Sequence, residues 1–578
     1  MKTIQGAKYL WNFADVNQQK ALDIAATYNL SLPIAQTVIA RGYLTKEHIN
    51  DYLFTSSEHV GDPRLLKDAE RAVDRILYAI NNKEKILIAG DYDVDGITSS
   101  ALMMICLVPL GASINFFLPH RVHDGYGLST KVVQRAADNN YKVIMTVDNG
   151  ITAFEPAILA KKLGIDLIIT DHHRPHDHVP DAFAIINPHQ ADCPYPYKKF
   201  AGVGVGFKIL TLLYEKLGLK MPSKAYELLL LGTVADVVPL TGENRYWVRH
   251  GLKYVNGLES FSLRVLKQNG KVTKPVLSSL DIGFSLAPQI NALGRLEDPR
   301  QGVKFLIGTD EQEVVSVGRI LYELNQARKE IERTIFVEVV AQIENKSIDL
   351  SKENCIIAAS RSWPPGVIGL VASRLVSAYG RPTILLHLTK DGIAKGSCRS
   401  ISAFNMFDAL HEARDLLNTF GGHSVAAGLS LSIDKVPLLK EHLEKKIRAT
   451  LTLDDLKQKM NLDAEIKLSD VSVKFMKDLE YLQPFGNENA QPVFYVHHVS
   501  LVQKPQLLKD NHVKCSIFSD GVIKPLIFFN RPELFELLMQ YELEQHSFDV
   551  AVQVTENHWN DKVSLELLGL DIANPGVV

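Results

Sequence analysis

From about residue 85 the chain alternates short apolar runs with longer amphipathic stretches. The runs Lys85–Ala89, Ser113–Leu118, Lys142–Val147, Asp166–Thr170 and Ala182–Ile186 are rich in Ile and Val. Helical patterns lie between most of them, at Ile97–Leu110, Thr130–Asn139 and Glu155–Leu163, and two more follow at Val205–Leu217 and Lys224–Asp236. Continuously apolar strands that alternate with helices predict a parallel sheet covered on both faces. The preceding residues, 1 to about 60, read as short helices such as Gln18–Tyr28 and Pro33–Arg41, with no chemical motif. They are expected to form a packing or docking appendage.

Residues Gln312–Asn345 mix charged and regularly spaced apolar positions and predict one long helix, some 45 Å in length at about 1.5 Å per residue, able to connect two domains. A second α/β pattern begins near 354. It runs through a strand at Cys355–Ser360, a helix at Val367–Tyr379, a strand at Thr383–His387, the segment KGSCRS, a helix at Asn405–Leu417 and the glycine-rich GGHSVAAGLSL. From 462 onward short alternating runs separated by turn residues predict a small antiparallel barrel. The expected organisation is an N-terminal helical region (1–60), an α/β domain (61–308), a connecting helix (309–346), a smaller α/β domain (347–461) and the barrel (462–578).

Composition narrows this picture. A chain of 578 residues with 46% hydrophobic and 22% charged residues supports three or four cored domains and excludes wholesale disorder. Lys and Arg total 63 against 66 Asp and Glu, a net charge of −3, so any nucleic-acid surface must be local. The five cysteines, Cys106, Cys193, Cys355, Cys398 and Cys515, form no CxxC pair, which argues against a disulfide framework or a cysteine zinc site and fits a reducing, cytoplasmic setting. The N-terminus lacks a signal-peptide pattern, and no stretch approaches the ~20 apolar residues of a membrane span.

Candidate chemistry lies where the strands end. Lys85–Ala89 runs into Asp91-Tyr92-Asp93-Val94-Asp95-Gly96, Lys142–Val147 into Asp148-Asn149-Gly150, and Asp166–Thr170 into Asp171-His172-His173; Asp236 follows the apolar helix Ala225–Val234. Ligands of open parallel sheets bind outside the carboxyl ends of the strands. Any one of these motifs would pass as a solvated turn. Two carboxylates about 4 Å apart repel by roughly 4 kcal/mol at an effective dielectric of 20, so four or more converging there require protons or cations. Oxygen and imidazole donors without thiolate suit manganese or magnesium, and an Asp shared by two ions suits in-line displacement at phosphorus.

The segments DYDVDG, VDNG, TDHH and GTVADVVPL follow one another as the motifs of DHH-family phosphoesterases do, and GGHSVAAG resembles the signature of the DHH-associated domain. GYGLS (125–129), AGVGVGFK (201–208), NALGRL (291–296), GVIGLVASR (366–374) and KGSCRS (395–400) resemble the RecJ family of bacterial single-strand-specific DNA exonucleases, a likeness that covers almost the whole chain from about 60. The resemblance implies that Asp93, Asp95, Asp148, His172 and Asp236 are metal ligands for two divalent cations, manganese or magnesium. Asp91 matches the start of the first motif, where several relatives have histidine. His173 matches a residue that touches the scissile phosphate, with Asp171 orienting a histidine.

Arg295, Ser397 and Arg399 resemble the family's pocket for a terminal 5′ phosphate, joined by Gly422 and His423; KGSCRS departs from the more usual glycine at Cys398. Arg121 and Arg374 are further DNA-binding candidates, with helix-capping or surface roles as the alternative. The C-terminal segment resembles an OB-fold. Of Phe485, Phe494, Tyr495, Phe518, Phe528 and Phe529 most are expected in its core, leaving one or two for bases. The implied activity is stepwise hydrolysis of single-stranded DNA from the 5′ end to 5′ mononucleotides, in recombination and repair. The implied partners are single-strand-binding protein and a RecQ-type helicase, with no membrane. The competing readings are a phosphodiesterase for short RNA or cyclic dinucleotides, a manganese pyrophosphatase, and a non-catalytic binding protein with a dead core.

Overall fold

The computed structural model describes residues 2–120, 124–452, 454–559 and 562–575. The chain divides into one unit of residues 1–7, 11–322 and 461–578 and a second of residues 8–10 and 323–460. It passes from one to the other within a 34-residue helix, Glu311–Glu344.

In the first unit, strands β1 (Lys85–Ala89), β2 (Ser113–Phe117), β3 (Tyr141–Val147), β4 (Asp166–Thr170) and β5 (Ala184–Ile186) form a sheet of order β2-β1-β3-β4-β5. Every pairing in it is parallel. The chain leaves β1 for one neighbour and later returns on its other side at β3, so the carboxyl ends of β1 and β3 splay apart. That splay is the crevice where open α/β sheets take their ligands. The helix Val94–Leu107 starts at this point, capped by the Asp93 side chain on the Gly96 N–H, and every residue from Val94 to Met103 is buried. A helix buried on every side needs no polar face, which is why ITSSALMMICL carries no amphipathic stripe; its Thr98 and Ser99 hydroxyls bond within the helix.

The second unit holds β6 (Ile356–Ser360), β7 (Thr383–Leu388), β8 (Ile393–Arg399), β9 (Thr419–His423) and β10 (Ala426–Ser432) in the order β9-β10-β8-β7-β6. Here only β6 and β7 run parallel. One face of the sheet buries Cys398, Ala394, Leu386 and Leu429 against the helices Met406–Glu412 and Val436–Thr450.

The C-terminal strands β11 (Phe494–Leu501), β12 (His512–Ser519), β13 (Val522–Phe528), β14 (Phe548–Trp559) and β15 (Lys562–Ala573) close into a barrel, since β12 pairs with β11 as well as β13. The expectation of an all-antiparallel barrel needs one correction: β13 and β15 are parallel.

The N-terminal region is also more than an appendage. Helices Gln18–Tyr28, Leu32–Ala40 and Lys46–Phe54 bury Ile24, Ile34, Val38, Ile49 and Leu53 in one core with Phe475, Phe494, Val513 and Leu567 of the C-terminal segment. Trp11, fully buried, donates its indole N–H to Asp571 at 3.0 Å, across 560 residues of chain. The buried Arg245 donates to the carbonyls of Tyr52, Leu482 and Tyr481, tying the sheet domain to both. No helix among the described residues is long and apolar enough to cross a membrane.

Candidate metal centre and phosphate-binding face

The carboxyl ends of β1, β3 and β4 bring the acidic motifs together. Ligand atoms of Asp91, Asp93 and Asp148 lie within 4.8 Å of one another, as do those of Asp95, His172 and Asp236, and those of Asp148, His172 and His173. Asp148 therefore stands in two clusters, with its carboxylate 3.1 Å from His172 Nε2; the same nitrogen is 3.7 Å from Asp236 and 3.9 Å from Asp95. Buried atoms Asp148 Oδ1, His172 Nε2 and Asp236 Oδ2 make no hydrogen bond. Orphaned buried acceptors cost roughly 1–3 kcal/mol each. Three that converge on one point describe a coordination site, and the donor set of carboxylates and imidazole fits a hard divalent cation.

Titration behaviour agrees. Burial, then the neighbouring Asp93 charge, pushes Asp95 up to about 7. Burial and the surrounding carboxylates hold Asp148 and Asp236 well above the usual carboxylate range. Burial, with the charge of His173, drives His172 down to about 3, so it presents a neutral imidazole. For His173 burial is the largest influence and acts downward, but the Asp171 hydrogen bond and the surrounding carboxylates prevail and raise it to about 8.

Local chain geometry explains the motifs. Asp95 is clamped by the Gly202 and Val203 N–H groups at 2.6 and 2.8 Å, the first amides of the helix Gly202–Lys216. A Cβ on Gly202 would fall 2.5 Å from Asp148 Cβ, so the first glycine of AGVGVGFK is what lets that helix reach both carboxylates. Asp171 orients His173: its Oδ1 accepts from His173 Nδ1 at 2.7 Å and from the N–H groups of His172 and His173, while Oδ2 takes the Ile151 N–H. Asn149, fully buried, donates to both the Ala89 and Val147 carbonyls and staples the ends of β1 and β3. The Tyr126 hydroxyl lies 3.4 Å from both the Asp148 carbonyl and His173 Nδ1. The orienting role expected of Asp171 matches these contacts, whereas Gly202, Asn149 and Tyr126 sit inside quoted motifs to which the sequence assigned no such role.

The remaining candidates fall in two places. Arg295 is on the helix Ala287–Leu296 of the first unit, which presses onto the acidic loop so closely that a Cβ on Gly294 would meet the Tyr92 carbonyl at 2.1 Å. Ser397, Arg399 and His423 belong to the second unit. Arg399 and His423 both face Ala426 across adjacent ladders, so both project from one side of the sheet, and Ser397, two residues before Arg399, shares it. Arg399 Nη1 donates to Ser397 Oγ at 3.1 Å. The helix Pro365–Tyr379 comes over the pair at its fifth residue, where only the absence of a Cβ on Gly369 leaves room for Ser397.

Cys398 points to the opposite side, fully buried, so the departure from the usual glycine does not touch this face. The two glycines of GGHS differ. Gly421 opens on free space, whereas Gly422, at φ +138°, is demanded by β10, because a Cβ there would meet the Ala426 carbonyl at 2.4 Å. Arg374 lies over the Phe336 ring at 4.0 Å. Arg121 lies outside the described residues. In the barrel Phe485, Phe494, Tyr495 and Phe528 are buried; Phe518 and Phe529 are 43% and 51% exposed.

Comparisons with known proteins agree with this architecture. Residues 85–233 match the DHH family, N-terminal domain, 352–449 the DHHA1 domain and 462–571 the RecJ OB domain. The crystal structure of RecJ from Thermus thermophilus in complex with Mn2+ superposes with a TM-score of 0.81 at 25% identity, over 98% of this chain and 80% of that one. The single-stranded-DNA-specific exonuclease RecJ of Escherichia coli K12 is 34% identical over 472 residues, 78% of this chain and 81% of its own. That of Bacillus subtilis 168 is 34% identical over 569 residues, 98% of this chain and 71% of its own. Likeness at this level, over most of this chain and of its relatives, places the chain in the RecJ family.

Proposed function

We propose that the protein is a metal-dependent exonuclease that degrades single-stranded DNA from the 5′ end to 5′ mononucleotides. The observation that carries this is the convergence of Asp91, Asp93, Asp95, Asp148 and Asp236 with the neutral His172 at the carboxyl edge of the sheet. Asp91, Asp93 and Asp148 would hold one divalent cation, manganese or magnesium, and Asp95, His172 and Asp236 a second, with Asp148 shared. Cations bound there neutralise the cluster, polarise phosphoryl oxygens and ease deprotonation of water. His173, held by the Asp171 carboxylate through Nδ1, turns its ring toward the scissile phosphate as a hydrogen-bond donor. Ser397, Arg399 and His423, with Gly421 and Gly422, receive the terminal 5′ phosphate; Arg295, Arg121 and Arg374 are further contacts to the strand.

The barrel holds the strand upstream through Phe518 and Phe529, the two of its six candidate aromatics that remain exposed. Action in recombination and repair within the cytoplasm, beside single-strand-binding protein and a RecQ-type helicase, completes the reading.

One assay tests it: 5′-labelled and 3′-labelled single strands, duplex DNA and short RNA are each incubated with manganese or magnesium. The expected result is immediate release of labelled mononucleotide from 5′-labelled single strands alone. Preferential cleavage of two- to five-nucleotide RNA would instead favour a short-substrate phosphodiesterase.

A further inference from the structure

Val237 follows Asp236 directly and holds φ at +60°. A β-branched residue in the left-handed region is strained and persists only where its surroundings enforce it. Here the enforcement comes from 250 residues away. Asn487 Nδ2 donates to the Val237 carbonyl at 2.8 Å, and the Asn487 carbonyl accepts from the Leu240 N–H at 2.9 Å. A Cβ on the adjacent Gly486 would fall 2.6 Å from Leu240 Cδ1, so the loop lies directly on the Val237–Leu240 turn.

The loop is itself anchored. The buried Asn489 donates to the Leu482 and Pro484 carbonyls and accepts from Arg41 and Tyr52, and the Ser279 hydroxyl holds the Phe485 carbonyl at 2.6 Å. Asp236 closes the helix Lys224–Ala235, its N–H bonded to the Gly232 carbonyl at 2.9 Å, and the strained turn begins at the very next residue, so the helix fixes its backbone on one side and the turn on the other.

We propose that Asn487 is a positioning residue for the metal centre: it holds the strained Val237 turn and so aims the Asp236 carboxylate at the site shared with Asp95 and His172. The C-terminal module thereby contributes to metal binding without supplying a ligand. The inference rests on the reading of Asp236 as a ligand. It also explains why a strained valine is tolerated beside that residue: the loop supplies two hydrogen bonds and a packing surface that fix the turn from outside.

The test measures manganese binding by titration calorimetry on the full chain, with melting temperature and single-strand hydrolysis alongside. Asn487→Ala should weaken manganese binding by roughly three- to tenfold, the span of one lost hydrogen bond, and lower kcat more than it raises KM. Val237→Gly relaxes the turn, because glycine adopts positive φ without strain. It should bind manganese as the parent does, and in its background Asn487→Ala should cost no more than about twofold. Unchanged manganese binding in Asn487→Ala, or an equal loss with and without Val237→Gly, would overturn the inference. Asp236→Ala separates the two levels: if it leaves manganese binding intact, the ligand assignment itself fails, and if it abolishes binding while Asn487→Ala does not, only the positioning role fails.

Discussion

On the proposed reading two regions of this protein meet phosphate, and they are built in opposite ways. At the carboxyl edge of β1, β3 and β4 five carboxylates crowd into a buried pocket, with His172 as a neutral neighbour. Burial, and then their mutual repulsion, leaves Asp95, Asp148 and Asp236 holding protons well above the ordinary range. This edge is incomplete until cations take the place of those protons. The Ser397–Arg399 face of β8 is complete as it stands: a hydroxyl and a guanidinium, already bonded to each other, beneath Gly369 of a covering helix. The first region spends stability on a site for catalysis. On the same reading the second is a preformed anion site resting on an arginine fork and a hydroxyl. The difference teaches that removing charge should have opposite effects on stability in the two places.

The largest expected effect is at the acidic edge. Asp148→Asn removes a carboxylate shared by two clusters and should reduce manganese-dependent hydrolysis by at least about a thousandfold, roughly 4 kcal/mol. The same change should raise the melting temperature of the metal-free protein near pH 7. The sign follows from the raised Asp148 value: the folded state holds this proton more tightly than the unfolded chain, so its contribution is present at low pH and lost as pH rises. The gain should therefore shrink as pH falls toward the ordinary carboxylate range. A metal-free variant less stable than the parent at neutral pH would break the comparison.

Next comes the anion face. Arg399→Ala should weaken binding of a 5′-phosphorylated strand by about tenfold or more, since charge-assisted hydrogen bonds contribute roughly 1.5–3 kcal/mol. A 5′-hydroxyl strand and manganese affinity should be almost unaffected. An equal loss on both strands would make this arginine a general backbone contact.

The barrel should give a smaller effect. Phe518→Ala and Phe529→Ala should each weaken binding of long single strands several-fold, stacking being worth about 1–3 kcal/mol per base, while trinucleotide hydrolysis stays unchanged. Point variants are required. Deleting everything after residue 461 would strip the partners from Ile24, Ile34, Val38 and Leu53, which share the barrel's core.

That shared core shows where the sequence stopped being legible. Each acidic motif was readable because it directly follows an apolar strand, and strand ends of a parallel sheet share one edge whatever the rest of the chain does. The barrel pattern put most of its aromatics, Phe494 among them, in a core but carries no record of what packs against them, so residues 1–60 read as an appendage. The bond from Trp11 to Asp571, the Gly202 and Val203 amides on Asp95, and Asn487 on Val237 all join residues about 100 or more positions apart. The parallel pairing of β13 with β15 is likewise a matter of barrel closure rather than of any local period. Within the barrel, the pattern limited the exposed aromatics to one or two; only the register singled out Phe518 and Phe529.

The account stands most directly on whether the acidic edge exchanges protons for cations. Manganese titrated into the metal-free protein near pH 7, in buffers of differing ionisation heat, reports both stoichiometry and proton release. The prediction is two ions per chain with net release of protons, diminishing as the pH is raised beyond the elevated values of Asp95, Asp148 and Asp236. Binding without proton release at pH 7, or no saturable binding, would contradict it.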